Sequence, residues 1–217
     1  MSILTIIDKL FQKEPSFGSS SYKNYRSRDD FYHNLLREDT LERLALLFKN
    51  QSEAPLNNDL SICFRNIPFG ADERLATGKL GKARYVIDNS GKIPSHKVLF
   101  YRTGLHHFRA VCQLHFLHDH FFFGKYTFRN TTPASINNVL TVLQHKYFYD
   151  SAFDGKISSV SDKQGNAIVL EKSLHLNVCY ISGDTTFPQF IREVVDKKHT
   201  AAERRKARNM KALEDYL

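Results

Sequence analysis

Histidine and phenylalanine are concentrated between His106 and Phe128, and imidazoles this close together could bind a metal or transfer protons. The segment reads HHFRAVCQLHFLHDHFFFGKYTF and contains five of the ten histidines and six of the seventeen phenylalanines. It supports two incompatible interpretations: a histidine site carried on strands, or the central hairpin of a hydrophobic core. The choice between them depends on where the strands begin and end.

His118 and His120 are the candidate metal ligands, because residues two apart on a continuous strand share a face and can chelate zinc or another divalent ion. If residues 118 and 119 instead form a two-residue turn, the two imidazoles diverge and the chelate is lost. The sequence contains no H-E-x-x-H or C-x-x-C motif, and no other cofactor is expected. A zinc site would need at least one further ligand. Other histidines that the sequence offers are His106, His107 and His175.

Alternation along residues 108–117 predicts an antiparallel strand with two different faces. The even-numbered residues form an apolar face, whereas the odd-numbered residues form a mixed one. We expect Arg109, Gln113 and His115 on the mixed face to point to solvent or to a cleft.

The next strand, HFFFGKYTF, has aromatic residues in both alternating sets. Strict alternation assigns Phe121 and Phe123 to one face, and Phe122 to the other with Tyr126 and Phe128. Aromatic residues on both faces predict a central strand that is covered on both sides. The phenylalanines therefore favour the interpretation of this segment as the central hairpin of the sheet.

A second chemical feature is a basic cluster near the C-terminal end. Between Lys197 and Lys211, seven basic residues against one acidic residue, Glu203, give a local charge of +6, which leaves +2 of the net +8 for the rest. Such a cluster can neutralise phosphates or an acidic protein surface. It has no interleaved aromatic residues, so nucleic-acid binding would be backbone-directed and sequence-tolerant. The basic residues are Lys197, Lys198, Arg204, Arg205, Lys206, Arg208 and Lys211.

Helices are predicted on both sides of the strands. Residues 1–22 combine an amphipathic helix with a Gly/Ser-rich hinge. Capping patterns begin further helices at Ser27, at Thr132 and, separately from the helix before it, at Thr200. The GxxG segment that ends at Gly81 is interpreted as a plain turn, because it lacks the remainder of a phosphate-loop motif.

Strands are predicted at residues 60–67, in a meander over residues 84–128, and again over residues 156–181. Grouped strands with helices before and after them favour an α+β fold, with a mostly antiparallel meander sheet packed by helices. The predicted organisation is an amphipathic helical arm and hinge at residues 1–22, a single α+β domain at residues 23–186, and a C-terminal helical extension with the basic cluster at residues 187–217.

The composition is that of an ordinary globular protein, 41% hydrophobic and 25% charged. The three cysteines lie in apolar runs and are predicted to be buried free thiols. No run is long enough to span a membrane, and residues 1–15 do not resemble a secretory signal. We therefore expect a cytoplasmic location.

The leading functional hypothesis is a non-enzymatic binding or assembly protein that acts through protein–protein contacts or self-association. The alternative is sequence-tolerant nucleic-acid binding through the basic C-terminal helix, and the least favoured is a metal-dependent enzyme that uses His118 and His120. No catalytic residue is predicted, because the sequence has neither a nucleophile elbow nor a dinucleotide fingerprint. Asp162 and Asp184 are interpreted as turn and cap residues.

Overall fold

A computed structural model describes residues 27–37, 41–52, 54, 59–105, 108–129, 132–148, 157–172, 175–214 and 216. The predicted arm and hinge of residues 1–22 lie outside the described residues. Helix α4 continues directly into a π-helical turn, Gln144–Phe148. The α-helices within the described residues are α1 (Arg28–Arg37), α2 (Leu41–Ser52), α3 (Glu73–Leu80), α4 (Pro133–Leu143) and α5 (Thr186–Glu214).

The strands of the described residues form one seven-stranded sheet, in which every neighbouring pair is antiparallel. Their order is β1-β2-β3-β4-β7-β6-β5, so two meanders join where β4 pairs with β7. The prediction of an α+β fold with an antiparallel sheet packed by helices is confirmed. The strands are β1 (Tyr85–Asp88), β2 (His96–Leu105), β3 (Phe108–Leu117), β4 (His120–Phe128), β5 (Ile157–Ser161), β6 (Ala167–Lys172) and β7 (Leu176–Ile181).

Helices cover both faces of the sheet. On the face that we call the α4 side, α3 and α4 pack over a core that includes Cys112, Leu114 and Phe116. On the opposite face, the α5 side, α1, α2 and the first part of α5 pack over two further clusters. Strand β4 is buried along its length from Phe121 to Phe128. The prediction of a central strand that is covered on both sides is therefore confirmed.

Two of the predicted helix starts are confirmed. The Ser27 hydroxyl accepts a hydrogen bond of 3.1 Å from the backbone N–H of Asp30. The Thr132 hydroxyl accepts one of 3.2 Å from the N–H of Ser135, with proline at the start of α4. These caps satisfy backbone donors that the first helical turn leaves unpaired.

The predicted helix start at Thr200 is wrong. Helix α5 runs without a break from Thr186 to Glu214. The Thr200 hydroxyl donates a hydrogen bond of 3.0 Å to the Asp196 carbonyl one turn earlier. A threonine side chain can make this bond inside a helix, so the same residue type does not distinguish a helix start from its interior.

Two assignments before the sheet are also wrong. Residues 60–67 do not form a strand: residues 60–63 have no regular secondary structure, and Arg65 and Asn66, with φ values of 53° and 61°, form a tight turn between the bridged residues Phe64 and Ile67. Gly78 lies within α3 and not in a plain turn. Gly81 ends that helix with a φ of 78°, which glycine adopts without strain.

A β-bulge in β4 overturns the alternation predicted for its aromatic residues. His115 pairs with Phe123 and Phe116 pairs with Phe121, so Phe122 is an extra residue on β4. Phe122 and Phe123 consequently both point to the α5 side, whereas Phe121 joins the core of the α4 side. A bulge changes the face of every later residue in the strand.

All three cysteines are free thiols, as predicted. Cys112 and Cys179 are buried, whereas Cys63 is half-buried. Burial raises the pKa of Cys112 to about 12, so this thiol stays protonated and acts as a packing residue. No helix of the described residues combines the length and the apolar character that crossing a membrane would require.

Candidate functional site

The conformation at His118 and Asp119 determines whether the predicted histidine chelate can form. Both residues have positive φ values, 48° and 64°, and they connect β3 to β4 as a two-residue turn. Positive φ at both positions characterises the type I′ turn, whose twist matches that of a hairpin. Histidine and aspartate are among the residues that tolerate this conformation better than most.

The two candidate metal ligands point in different directions. The His118 ring packs edge-on against Phe190 of α5, with 5.7 Å between ring centroids. His120 instead places its Nδ1 atom 3.0 Å from the Gly70 carbonyl, which lies in the segment before α3. These two side chains therefore do not form the chelate that a continuous strand would have allowed.

Among the described residues, further ligands do not converge on this turn. Within the described parts of the chain, no group of three or more His, Cys, Asp or Glu residues is placed to hold a metal ion. His106 and His107 lie outside the described residues. The geometry of the described residues thus gives the predicted zinc site no support.

The mixed face of β3 differs from the sequence prediction. Gln113 and His115 are fully buried, each with 0% exposure, and the expectation that they face solvent or a cleft is wrong. The reason is that helices of the α5 side cover this face as completely as α4 covers the other. The side chain of Arg109 is outside the described residues.

A chain of hydrogen bonds links these buried groups. Nδ2 of Asn89 lies 2.9 Å from Nδ1 of His96, and Nε2 of His96 lies 3.1 Å from Nδ1 of His115. Nε2 of His115 then lies 3.3 Å from Oε1 of Gln113. Because an amide nitrogen can only donate, both imidazoles are assigned a hydrogen on Nε2 and an acceptor at Nδ1.

Burial keeps both imidazoles of this chain neutral. Desolvation lowers the pKa of His96 to about 4, partly opposed by the negative charge of Asp88. The pKa of His115 is also lowered well below its usual range, by desolvation, by the repulsion that would arise if His96 were protonated as well, and by the positive charge of Lys125. A neutral pair can donate and accept simultaneously, which is what the observed chain requires.

Sequence reasoning missed Lys125, which is fully buried on the α5 side of β4. It pairs in register with Gln113 on β3 and Cys179 on β7. Two residues further along β4, on the same face, Thr127 donates a hydrogen bond of 3.0 Å to Asn177. A lysine within a strand whose two faces are both aromatic is the sequence signal that could have identified this buried polar band.

An open cleft of 660 Å³ lies beside the β3–β4 turn, and His96, although only 1% exposed, forms part of its wall. The side chains that line it carry charges of both signs: an ion pair of 2.6 Å joins Glu73 and Lys97. Arg74, Asp88 and Asp119 also line it, so three carboxylates stand against two basic side chains. A difference of one charge does not single out a class of ligand for this cleft.

Helix α5 consists of a docked part and an exposed part. Phe187 and Ile191 are buried in the core, and Val195 is half-buried. Every residue from Asp196 to Lys211 is exposed. Because more than four consecutive turns are exposed on all sides, residues 196–211 form an arm that lacks packing against the described residues.

The arm contains all seven residues of the basic cluster, and it places them unevenly around the helix. At about 100° per residue, Lys197, Arg204, Arg208 and Lys211 fall within an arc of about 60°. Lys198 and Arg205 flank this row on one side, and Lys206 lies opposite it. We call the first four residues the cationic row.

The cationic row is available to a partner. None of the seven basic side chains forms an ion pair or a hydrogen bond with another described residue. The exposed apolar residues Met210 and Leu213 occur on the opposite side of the helix from the row. The row can therefore contact a partner through charge but not through apolar side chains.

The arm of α5 is the candidate functional surface, because the sequence-predicted binding residues are all exposed there. The buried histidine chain, in contrast, is enclosed within the body and is held by internal hydrogen bonds. Comparison of the chain with protein-family models, curated proteins and solved structures finds no match.

Proposed function

We propose that this protein is a non-enzymatic binding or assembly protein that holds a macromolecular partner on the arm of α5. The observation that carries the proposal is that residues 196–211 remain helical while exposed on every side, with seven cations free to bind. A docked helix buries one face in its own protein, whereas this arm keeps its entire circumference available.

The docked part of α5 explains how the arm is held. Burial of Phe187 and Ile191 fixes the direction of the helix and provides its first turns. Helix extension from an existing turn avoids the unfavourable nucleation step. The body therefore serves as a platform from which the arm reaches a partner, either a protein with an acidic surface or a nucleic acid.

Removal of the arm tests this proposal. We expect a chain that ends at Val195 to keep its melting temperature, because the described core contacts all lie before residue 196. The full-length and the shortened protein are immobilised in parallel and exposed to the same cell extract. Bound proteins are then identified by mass spectrometry, and bound nucleic acids by nuclease digestion. The proposal predicts partners that only the full-length protein retains.

Two results would contradict the proposal. One is retention of the same partners by both proteins, which would place the binding surface on the body. The other is a large loss of stability on shortening, which would show that the arm packs against its own protein.

A further inference from the structure

We infer that the partner held by the arm is a B-form nucleic-acid duplex, contacted through its phosphates without sequence preference. This inference rests on the proposed function, because it names the partner of the same surface. Its basis is the alignment of charge along one side of an exposed helix.

The cationic row is long enough to contact several phosphates of a duplex. Lys197 and Lys211 are fourteen residues apart in the sequence, which corresponds to about 21 Å along a helix. A duplex carries one negative charge per about 1.7 Å of its axis, so a stretch of this length offers about twelve phosphates. Arg204 and Arg208 add the planar donor groups that bind phosphate oxygens in pairs.

The acidic residues of the arm do not interrupt the row. Asp196 and Glu203 lie about 80° to 120° around the helix from its centre, on the side away from Lys198 and Arg205. The side of the arm that carries the row therefore has cations near both of its ends and no carboxylate. Phosphates that approach this side meet no carboxylate.

The exposure of the arm favours the major groove of B-form DNA. An α-helix with its side chains is about 10–12 Å wide, and that groove is about 12 Å wide. A helix that rested on its own protein could not enter the groove, but residues 196–211 are exposed on all sides. The major groove of an A-form RNA duplex is too narrow and deep for the same approach.

Two other partner classes fit this surface less well. A protein interface normally has a desolvated apolar centre, yet Met210 and Leu213 lie on the opposite side of the helix from the cationic row. Single-stranded nucleic acids are held largely by stacking on aromatic side chains. The arm contains no Phe, Tyr or Trp.

A matched pair of full-length variants tests the inference. Arg204→Gln/Arg208→Gln alters the row, whereas Lys206→Glu alters the opposite side, and each lowers the net charge by two. Binding to a fluorescently labelled mixed-sequence DNA duplex of about 20 base pairs is measured by anisotropy between about 50 and 200 mM salt. Circular dichroism verifies that both variants remain folded and helical.

We expect the unaltered protein to bind with a slope of log affinity against log salt of about −3.6, since each of the four cations of the row contributes about −0.9. The row variant should bind at least about tenfold more weakly, with a slope shallower by about two. Lys206→Glu should change the affinity by less than about threefold, because Lys206 is a single cation outside the row. Single-stranded DNA, duplex RNA and poly-glutamate should bind more weakly than the DNA duplex.

Several outcomes would overturn the inference. These are the absence of duplex binding at low salt, equal losses in the two variants, or equal binding of single-stranded DNA, duplex RNA or poly-glutamate. If duplex binding is absent but the full-length protein still retains a protein partner that the shortened chain loses, this inference fails and the proposed function stands. If neither kind of partner is retained, both fail.

Discussion

Nε2 of His96 on β2 lies 3.1 Å from Nδ1 of His115 on β3, and both imidazoles are buried beneath the helices of the α5 side. The rings lie 5.2 Å apart between centroids, with Phe122 against both of them. Two charged groups lie nearby. The negative charge of Asp88 raises the pKa of His96 and partly offsets desolvation, whereas the positive charge of Lys125 lowers the pKa of His115 further. This pair links protonation to the stability of the fold.

The first prediction is that stability decreases as the pH falls below about 6.5, the usual pKa of histidine in an unfolded chain. The pKa of His96 in the folded protein is lowered to about 4, so between these values only the unfolded state gains the proton. The unfolded state is then favoured by up to about 3 kcal/mol from His96 alone, and His115 acts in the same direction. Urea unfolding at pH 7 and pH 5 measures the difference.

Two variants separate this effect from general acid destabilisation. His96→Gln/His115→Gln removes both titrating groups and should reduce the pH dependence between pH 6.5 and 4.5. His199→Gln, at an exposed position on α5, should leave it unchanged. An unfolding free energy of the unaltered protein that is equal at pH 7 and pH 5 would contradict the prediction.

The sequence predicts the faces of β3 but not what covers them. Alternation correctly places Cys112 and Leu114 on an apolar face, because a strand alternates regardless of its neighbours. The same pattern makes Gln113 and His115 look exposed, because polar side chains usually are. Their burial depends on helices that are distant in the sequence, and on the chain of hydrogen bonds that links them to His96 and through it to Asn89, which no local pattern reveals.

The register of paired strands and the continuity of a long helix are two further features that the sequence alone does not determine. The bulge at Phe122 depends on how β4 pairs with β3, so alternation within β4 alone could not predict it. The basic cluster, in contrast, was identified from composition without any structure. What the sequence could not provide was its exposure, because the Thr200 pattern suggested a separate helix where α5 is continuous.

The second prediction concerns Asp162, which is buried at the turn between β5 and β6. Its Oδ2 accepts a backbone hydrogen bond of 2.9 Å from Ile62 and a bond of 3.1 Å from the Asn166 amide, and its Oδ1 accepts two from the turn. Asp162→Ala leaves these donors unpaired and should cost about 3 kcal/mol of unfolding free energy. Urea unfolding at neutral pH measures it.

Asp184 provides the matched control for Asp162, because the sequence assigned both residues the same role. It is exposed and accepts its hydrogen bonds from Thr186 at the start of α5. Asp184→Ala should cost only about 1 kcal/mol. Equal losses in the two variants would show that the buried position of Asp162 has no special importance.

The third prediction concerns the close approach of Gly124 and Phe64. A Cβ atom at Gly124 would lie 2.8 Å from both Cγ and Cδ2 of the Phe64 ring, which is enclosed by Phe121, Tyr126 and Tyr180. Gly124→Ala should therefore cost about 1–3 kcal/mol through overpacking. Gly91→Ala, where nothing lies within 4 Å of the added carbon, should change stability by less than about 0.5 kcal/mol. Equal melting temperatures for the two variants would contradict this prediction.

The fourth prediction compares the two parts of α5. Ile191 is fully buried in the core of the α5 side, whereas Met210 is 52% exposed on the arm. Ile191→Ala should cost about 2–4 kcal/mol, because it leaves a cavity beneath the helix, whereas Met210→Ala should cost less than about 0.5 kcal/mol. Hydrogen exchange should show the same division, with slow amides up to Val195 and fast ones beyond it. A stability loss for Met210→Ala as large as that for Ile191→Ala would mean that the arm packs within its own protein, and the surface on which the proposed partner binds would then be occupied.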